Sequence, residues 1–336
     1  MGSTELDAGF SALVVGLGSI GMRHLENLRR LGCRRIGVFR SRRAPLHRPL
    51  DLTGVAIHYD FDEALERGYD AVVICNPTAL HTEFATRAAA ASCHLYVEKP
   101  VSNTLANTDE LVRTVQRNGL VAAVGCQFRF HPNLTAIKGW LDEDVIGRAL
   151  SVHVDTGEYL PGWHSWEDYR KGYAAREDLG GGVVLTLIHE IDYLYWLLGG
   201  LKPVNAFGGT SGALDLAVED HLTAMLVSEA DAPVTLHIDY LQRPPCRRMK
   251  IVGSRGTIEW DYYLETASAV VDGKLKEESG VPEGWERNDL FLAIMSDFLD
   301  AVRVGRTPRV PLQDGIETLR IALELKAQIP SRTGVH

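Results

Sequence analysis

Hydrophobic and polar positions follow two different rhythms along this chain. Up to about position 126, short runs are apolar at nearly every position: Ala12-Leu13-Val14-Val15, Arg35 to Phe39, Val55 to Tyr59, Asp70 to Cys75, His94 to Glu98 and Leu120 to Gly125. A run with no alternation reads as a strand covered on both faces. Helical spacing fills the intervals from Met22 to Leu31, Thr78 to Ala91 and Leu105 to Asn118. Strands alternating with helices predict right-handed crossovers and a doubly wound parallel sheet, an α/β domain over 1–126.

After Cys126 the pattern changes. Phe128-Arg129-Phe130-His131-Pro132 opens a helix running to about Leu141, and from Ala149 the apolar period becomes two. Runs at Leu150 to Thr156, Val204 to Gly208, His221 to Ser228, Val234 to Leu241, Arg248 to Val252 and Thr257 to Asp261 are separated by turn chemistry such as Asp231-Ala232-Pro233 and Gly253-Ser254-Arg255-Gly256. This predicts an α+β domain over 127–336 built on an open, mainly antiparallel sheet. An open face of that size commonly becomes a contact between subunits. One long apolar helix is predicted between Gly182 and Gly199, and amphipathic helices over Asn288 to Val304 and Asp314 to Gln328.

Composition narrows the function classes. With 336 residues, 45% of them hydrophobic and 24% charged, the chain fits about two globular domains. A net charge of -9 without a clustered basic face argues against nucleic acid as a partner. Met1 to Ala12 lacks an apolar signal core, and no run of about 18 apolar residues follows. A cytoplasmic protein without a membrane partner is therefore expected. Cys33, Cys75, Cys93, Cys126 and Cys246 are widely spaced with no CxxC pair, which reads as buried thiols and no metal site.

The first run feeds directly into Gly16-Leu17-Gly18-Ser19-Ile20-Gly21 and then a helix. In that context GxGxxG is a dinucleotide fingerprint: the first glycine allows the turn, the second lets the backbone approach a pyrophosphate, and the third lets helix and strand pack closely. The following strand ends at Arg40-Ser41-Arg42-Arg43, nineteen positions beyond Gly21, where NAD-specific proteins usually carry an acid. Arginine suits a 2′-phosphate, so NADP(H) is preferred and NAD(H) is the alternative. The rival reading is a solvated basic loop, with Asp51 or Asp60 supplying the acid. Asn76-Pro77-Thr78 ends another strand with His81 one turn on; Thr78 either caps that helix or joins a backbone clamp on the cofactor.

Two further features carry chemistry. The run Tyr96-Val97 ends in Glu98-Lys99-Pro100. Lysine at a carboxyl strand edge is a candidate acid or base, and the alternative is a salt-bridged strand end before a turn proline. The glycine-led helix puts Thr186, His189, Asp192, Tyr193 and Trp196 near one stripe, with Asp192 one turn from His189 and able to fix its tautomer. It lacks the second histidine of HExxH, so a zinc peptidase is a poor reading. Between Glu158 and Arg176 lies an aromatic segment with Trp163, His164, Trp166, Tyr169 and Arg170. It is suited either to a sugar or to subunit packing.

Together, the glycine loop, Asn76-Pro77-Thr78 with His81, Glu98-Lys99-Pro100 and the helix with His189 and Asp192 resemble the Gfo/Idh/MocA family of NAD(P)-dependent oxidoreductases over almost the whole chain. The resemblance implies a Rossmann domain, a second domain whose open sheet forms dimers or tetramers, and hydride transfer at a hydroxyl or oxo carbon of a sugar, cyclitol or sugar derivative. It implies Lys99 as acid or base, His189 as its partner and Pro100 as the residue aiming Lys99. Gly16, Gly18, Ser19, Ile20, Gly21, Arg40, Ser41, Arg42, Asn76, Pro77, Thr78, His81, Glu98, Lys99 and Gln127 are the expected cofactor contacts. Lys99, Arg129, Trp163, Tyr169, Arg170, Thr186, His189 and Asp192 are those expected for substrate. Leu185 and Thr186 stand where many members have an aspartate, so Thr186 is assigned to a substrate hydroxyl. The competing readings are a cofactor-bound sensor without chemistry, and a glycosidase or lyase using NAD transiently.

Overall fold

The computed structural model describes residues 9–41, 46, 48–163 and 168–330. The strands are β1 Ser11–Val15, β2 Arg35–Phe39, β3 Ala56–His58, β4 Ala71–Ile74, β5 His94–Val97, β6 Ala122–Val124, β7 Ala149–Gly157, β8 Leu201–Gly209, β9 His221–Ser228, β10 Pro233–Asp239, β11 Cys246–Gly253, β12 Gly256–Asp261, β13 Thr266–Val271 and β14 Lys274–Gly280. The helices are α1 Ser19–Arg30, α2 Phe61–Leu65, α3 His81–Ala90, α4 Thr108–Arg117, α5 Pro132–Asp142, α6 Val183–Thr186, α7 His189–Leu198, α8 Arg287–Val304 and α9 Leu312–Ala327. Two units result: one runs to Gln127 and adds Glu286–Ile316, and the other is Phe128–Trp285 with the chain from Glu317 on.

The first unit is a parallel sheet in the order β3-β2-β1-β4-β5-β6. Every residue of β1 and β4 is buried, which is why both read as unbroken apolar runs. Strand order reverses between these two, so a crevice opens at their carboxyl ends. Helix α1 turns Met22, Leu25 and Leu28 inward. Helix α8 lies against it, with Phe291 under the Arg23 guanidinium and Phe298 edge-on to Tyr96 of β5.

The sequence pattern assigns all of 127–336 to the second domain, whereas 286–316 packs with the first unit. An amphipathic helix looks the same in sequence wherever its apolar side docks. Here Leu290, Phe291, Ile294, Met295 and Phe298 are buried, and past the helix the Val310 carbonyl accepts from the Val124 N–H at 3.0 Å. Pro311 bridges Ala123 and so extends the β6 edge.

The second unit holds a sheet in the order β14-β13-β12-β11-β7-β10-β9-β8. All neighbours are antiparallel except β7 with β10. One face buries Val152, Val154, Leu236, Ile238, Met249 and Ile251 in a core shared with α5 and α7. The other presents His153, Asp155, Arg248 and Lys250. Strands β13 and β14 escape the period-two reading because β14 is largely charged, as an exposed edge strand commonly is. Among the described residues, no helix is long and apolar enough to cross a membrane.

Candidate active site

Glycine sets the geometry of the first crevice. Gly16 has φ +91°, and a Cβ there would meet the Asn76 backbone nitrogen at 3.0 Å. A Cβ on Gly21 would lie 2.0 Å from the Gly16 carbonyl oxygen. The turn therefore closes only with glycine at both positions. Helix α1 follows with no side-chain cap and no acidic residue in its first turn, which leaves amide donors for an anion. Beside Ser19 opens a cavity of about 460 Å³ walled by Arg23, Arg30, Arg48 and Arg287, with Glu26 engaged by Arg48 at 2.8 Å. That wall attracts anions towards the mouth of the glycine loop.

Arg40 and Ser41 follow β2 directly, and the Arg40 N–H donates to the His58 carbonyl at 3.1 Å. Arg42 lies outside the described residues. The two acids that could stand in are otherwise occupied. Asp60 caps α2, accepting from the Asp62 and Glu63 amides, and Asp51 accepts the Thr53 amide.

At the end of β5 the charged pair divides. Glu98 is 6% exposed and turns inward, where Oε1 lies 2.7 Å from Nε2 of His24, which is fully buried. Its other oxygen accepts the Lys99 N–H at 3.2 Å. A Cβ on Gly125 would meet the same carboxylate at 2.8 Å, so the neighbouring strand end is glycine. Glu98 is thus a buried acceptor held between His24 and the Lys99 N–H. Lys99, half-buried, precedes Pro100 in a cis peptide. Thr78 does not cap α3 either: it begins a 3-10 turn over Thr78–Leu80, and α3 starts at His81 with Leu80 in the cap position and no side-chain bond. His81 is buried with Nδ1 2.8 Å from the Pro100 carbonyl and Nε2 2.8 Å from the Asn76 carbonyl. Both carbonyls are acceptors, so a neutral ring donates its single N–H to one of them at a time. Burial lowers the His81 pKa, and the two carbonyls oppose that shift. Gln127 is buried at the start of the 3-10 turn after β6.

In the second unit the predicted apolar helix is two helices, α6 and α7, broken at Leu187 and Ile188. Val183, Val184, Thr186 and Ile188 are β-branched, which weakens a continuous helix. The break puts His189, 6% exposed, at the first position of α7, with its ring 5.0 Å from that of Phe128. Asp192 accepts from Arg129 through both oxygens, Nη2 to Oδ1 at 2.7 Å and Nε to Oδ2 at 3.0 Å, and both side chains are buried. This fork makes Arg129 and Asp192 supports of α7. Next along α7, Glu190 accepts from Arg247 at 2.8 Å, and Arg247 also reaches Glu158 at 3.2 Å.

The aromatic segment is partly outside the described residues, which stop at Trp163 and resume at Asp168. Trp163 stands edge-on to Tyr240 at 5.6 Å, and the Tyr169 hydroxyl donates to the Leu214 carbonyl. Arg170 is half-exposed on Asp168. Thr186 is buried at the end of α6. Sequence reasoning misses His24, Glu190 and Arg247. His24, three places beyond Gly21, is the one a motif signal adjoins.

Two family models match the chain: the oxidoreductase family with an NAD-binding Rossmann fold over residues 10–126, and the GFO/IDH/MocA C-terminal domain over residues 134–259. The chain is 26% identical over 340 residues to myo-inositol 2-dehydrogenase of Thermotoga maritima, covering 96% of this chain and 97% of that one. It is 32% identical over 329 residues to the uncharacterized oxidoreductase YrbE of Bacillus subtilis, covering 92% and 91%. The fold is shared with levoglucosan dehydrogenase in complex with NADH and levoglucosan, at TM-score 0.82 and 18% identity over 95% of this chain and 96% of that one.

Proposed function

We propose, because this chain belongs to the Gfo/Idh/MocA oxidoreductase family, that it is a dehydrogenase moving hydride between a nicotinamide dinucleotide and a secondary alcohol or ketone of a sugar, cyclitol or sugar derivative. The observation that carries this reading is the end of β5, where Lys99 follows a buried, hydrogen-bonded Glu98 at the carboxyl edge of the sheet. The names of the Thermotoga relative and of the levoglucosan enzyme support the substrate class. The glycine loop fits a dinucleotide: Gly21 has no room for a Cβ, and α1 offers uncapped amides.

When bound, nicotinamide supplies the hydride acceptor or donor. Lys99 is the group that takes the hydroxyl proton as the alcohol is oxidised and returns it as the ketone is reduced. His189 is its partner, and Thr186 holds a substrate hydroxyl. The buried Arg129–Asp192 pair keeps α7, and with it His189, in one orientation. Arg40, with Ser41 and Arg42, favours NADP(H) over NAD(H) by charge. The open face of the second sheet is the contact of a homodimer or homotetramer. Cytoplasmic location follows the same reading.

A panel of sugars, cyclitols and their ketones, followed at the nicotinamide absorbance with each cofactor, tests the proposal. Turnover of at least one polyol or its ketone is expected. Tight cofactor binding without turnover of any member overturns it.

A further inference from the structure

The geometry points to a brace of two buried histidines, His24 and His81, that holds Lys99 from both sides and makes them positioning residues for its proton transfer. The residue before Lys99 is Glu98, gripped by His24 at 2.7 Å. The residue after it is Pro100, whose carbonyl lies 2.8 Å from His81. One imidazole comes from α1, directly after the glycine loop, and the other from the start of α3, directly after Asn76-Pro77-Thr78. Both loops that edge the crevice are thereby tied to the backbone on either side of one lysine.

Each link is specified by packing as well as by a hydrogen bond. The His24 ring meets Tyr96 at 5.0 Å and Phe291 at 6.1 Å, both edge to face, so its plane is fixed. His24 Nδ1 is buried with no hydrogen-bond partner. A proton there would stand unpaired in the interior, so the ring carries its proton on Nε2 and donates it to Glu98. With one carboxylate oxygen on His24 and the other on the Lys99 N–H, Glu98 cannot rotate without breaking a buried bond. The tight approach of Gly125 closes the remaining space. His81 completes the enclosure from the other side: its Nδ1 faces the Pro100 carbonyl and its Nε2 the Asn76 carbonyl, and the tautomer protonated on Nδ1 donates to Pro100.

A lysine on a turn is a long, flexible group, and proton transfer needs its nitrogen within hydrogen-bond reach of the reacting oxygen. Misplacement by about 1 Å costs on the order of 10²-fold in rate. The brace supplies that accuracy through the main chain on either side of Lys99.

This inference rests on the acid–base role proposed for Lys99, and a double-mutant cycle separates the two. Lys99→Met, His24→Ala, the double variant and His24→Gln are compared for kcat, cofactor Kd and urea midpoint, using a polyol active in the panel. Gln sets an amide donor near the position of Nε2. The expected result is that His24→Ala lowers kcat by about tenfold or more with little change in cofactor Kd, that His24→Gln restores most of it, and that His24→Ala costs nothing further in the Lys99→Met background. An unchanged kcat in His24→Ala, or an equal loss with and without Lys99, overturns the brace while leaving the lysine's role intact. An unchanged kcat in Lys99→Met instead overturns the underlying reading. Should His24→Ala not fold, the same cycle is run at His81, with Ala as the disabling and Asn as the rescuing replacement, Asn setting its amide near Nδ1, and the same outcomes decide.

Discussion

Arg247 donates through Nε to Glu190 at 2.8 Å, with its guanidinium lying over the Phe128 ring at 4.6 Å. Both charged groups are withdrawn from water, and burial pushes the Glu190 carboxyl up against the pull of Arg247. Breaking such a pair from one side strands a buried charge. Arg247→Met is therefore expected to cost about 3–5 kcal/mol in urea unfolding. Arg247→Met with Glu190→Leu should cost clearly less, because the fully buried carboxylate is gone and the Glu158 carboxylate that remains is partly exposed to water. Equal losses in the single and double variants would show that packing alone is at stake.

Acid sensitivity has a specific source in His131. Burial, with a smaller contribution from Arg247, pushes its imidazole down to about 4. The ring sits among Trp260, Tyr262 and Trp285 at 5.3 to 5.7 Å, and Nδ1 accepts the Asn133 amide to cap α5. An unfolded chain takes up this proton below about 6.5, the folded one only near 4, so stability is complete above 6.5 and falls as pH drops between the two. For a shift from 6.5 to about 4 the loss amounts to roughly 3 kcal/mol. His131→Asn keeps a cap and removes this titration. The urea midpoint of the variant should fall less from pH 7 to pH 5 than that of the parent.

Much of the architecture is written plainly in the chain, and the reasons for the exceptions are physical. The unbroken apolar runs of β1 and β4 and the alternation in β7, β9 and β11 report directly on how many faces each strand buries. β14 does not, because an edge strand facing water has no apolar period to display. The break between α6 and α7 is hidden by the buried surroundings, which leave apolar residues running through both helices without a polar gap at Leu187 and Ile188. In the candidate site, Gly16, Gly21 and Lys99 announce themselves through local motifs. His24 and Arg247 do not: their partners lie 74 and 57 positions away, and no spacing rule links a residue to a contact created by the fold.

Lys99→Met should lower turnover by the order of 10² or more while cofactor binding persists. The two readouts are steady-state turnover of a panel substrate and quenching of intrinsic fluorescence by NAD(P)H. Retained turnover would remove Lys99 from the proton-transfer step.

Gly21→Ala should abolish cofactor binding while sparing the second unit. The added methyl carbon would sit 2.0 Å from the Gly16 carbonyl oxygen, a backbone atom that cannot swing aside as a side chain does. The turn and α1 must part, which removes the uncapped amides from the pyrophosphate position. Calorimetric titration with NAD(P)H checks this; affinity within about threefold of the parent, a change of under 1 kcal/mol, would mean that the loop tolerates the displacement.

Arg40→Asp should shift the preference from NADP(H) towards NAD(H), since a carboxylate repels a 2′-phosphate and accepts from ribose hydroxyls. The ratio of kcat/KM for the two cofactors is the measure. An unaltered ratio would refute a role for Arg40 in cofactor choice.

The first unit is finished by a stretch of chain made long after its sheet. A ribosome that has delivered residues up to Trp285 has released all six parallel strands, but not the helix that covers α1 or the Val310 carbonyl that pairs with the edge of β6. The nascent sheet therefore waits, with apolar surface open, until the whole intervening unit has been synthesised. A gene fragment ending at Gln127 lacks the part that closes its own core, so a soluble nucleotide-binding module needs residues 286–316 spliced back on.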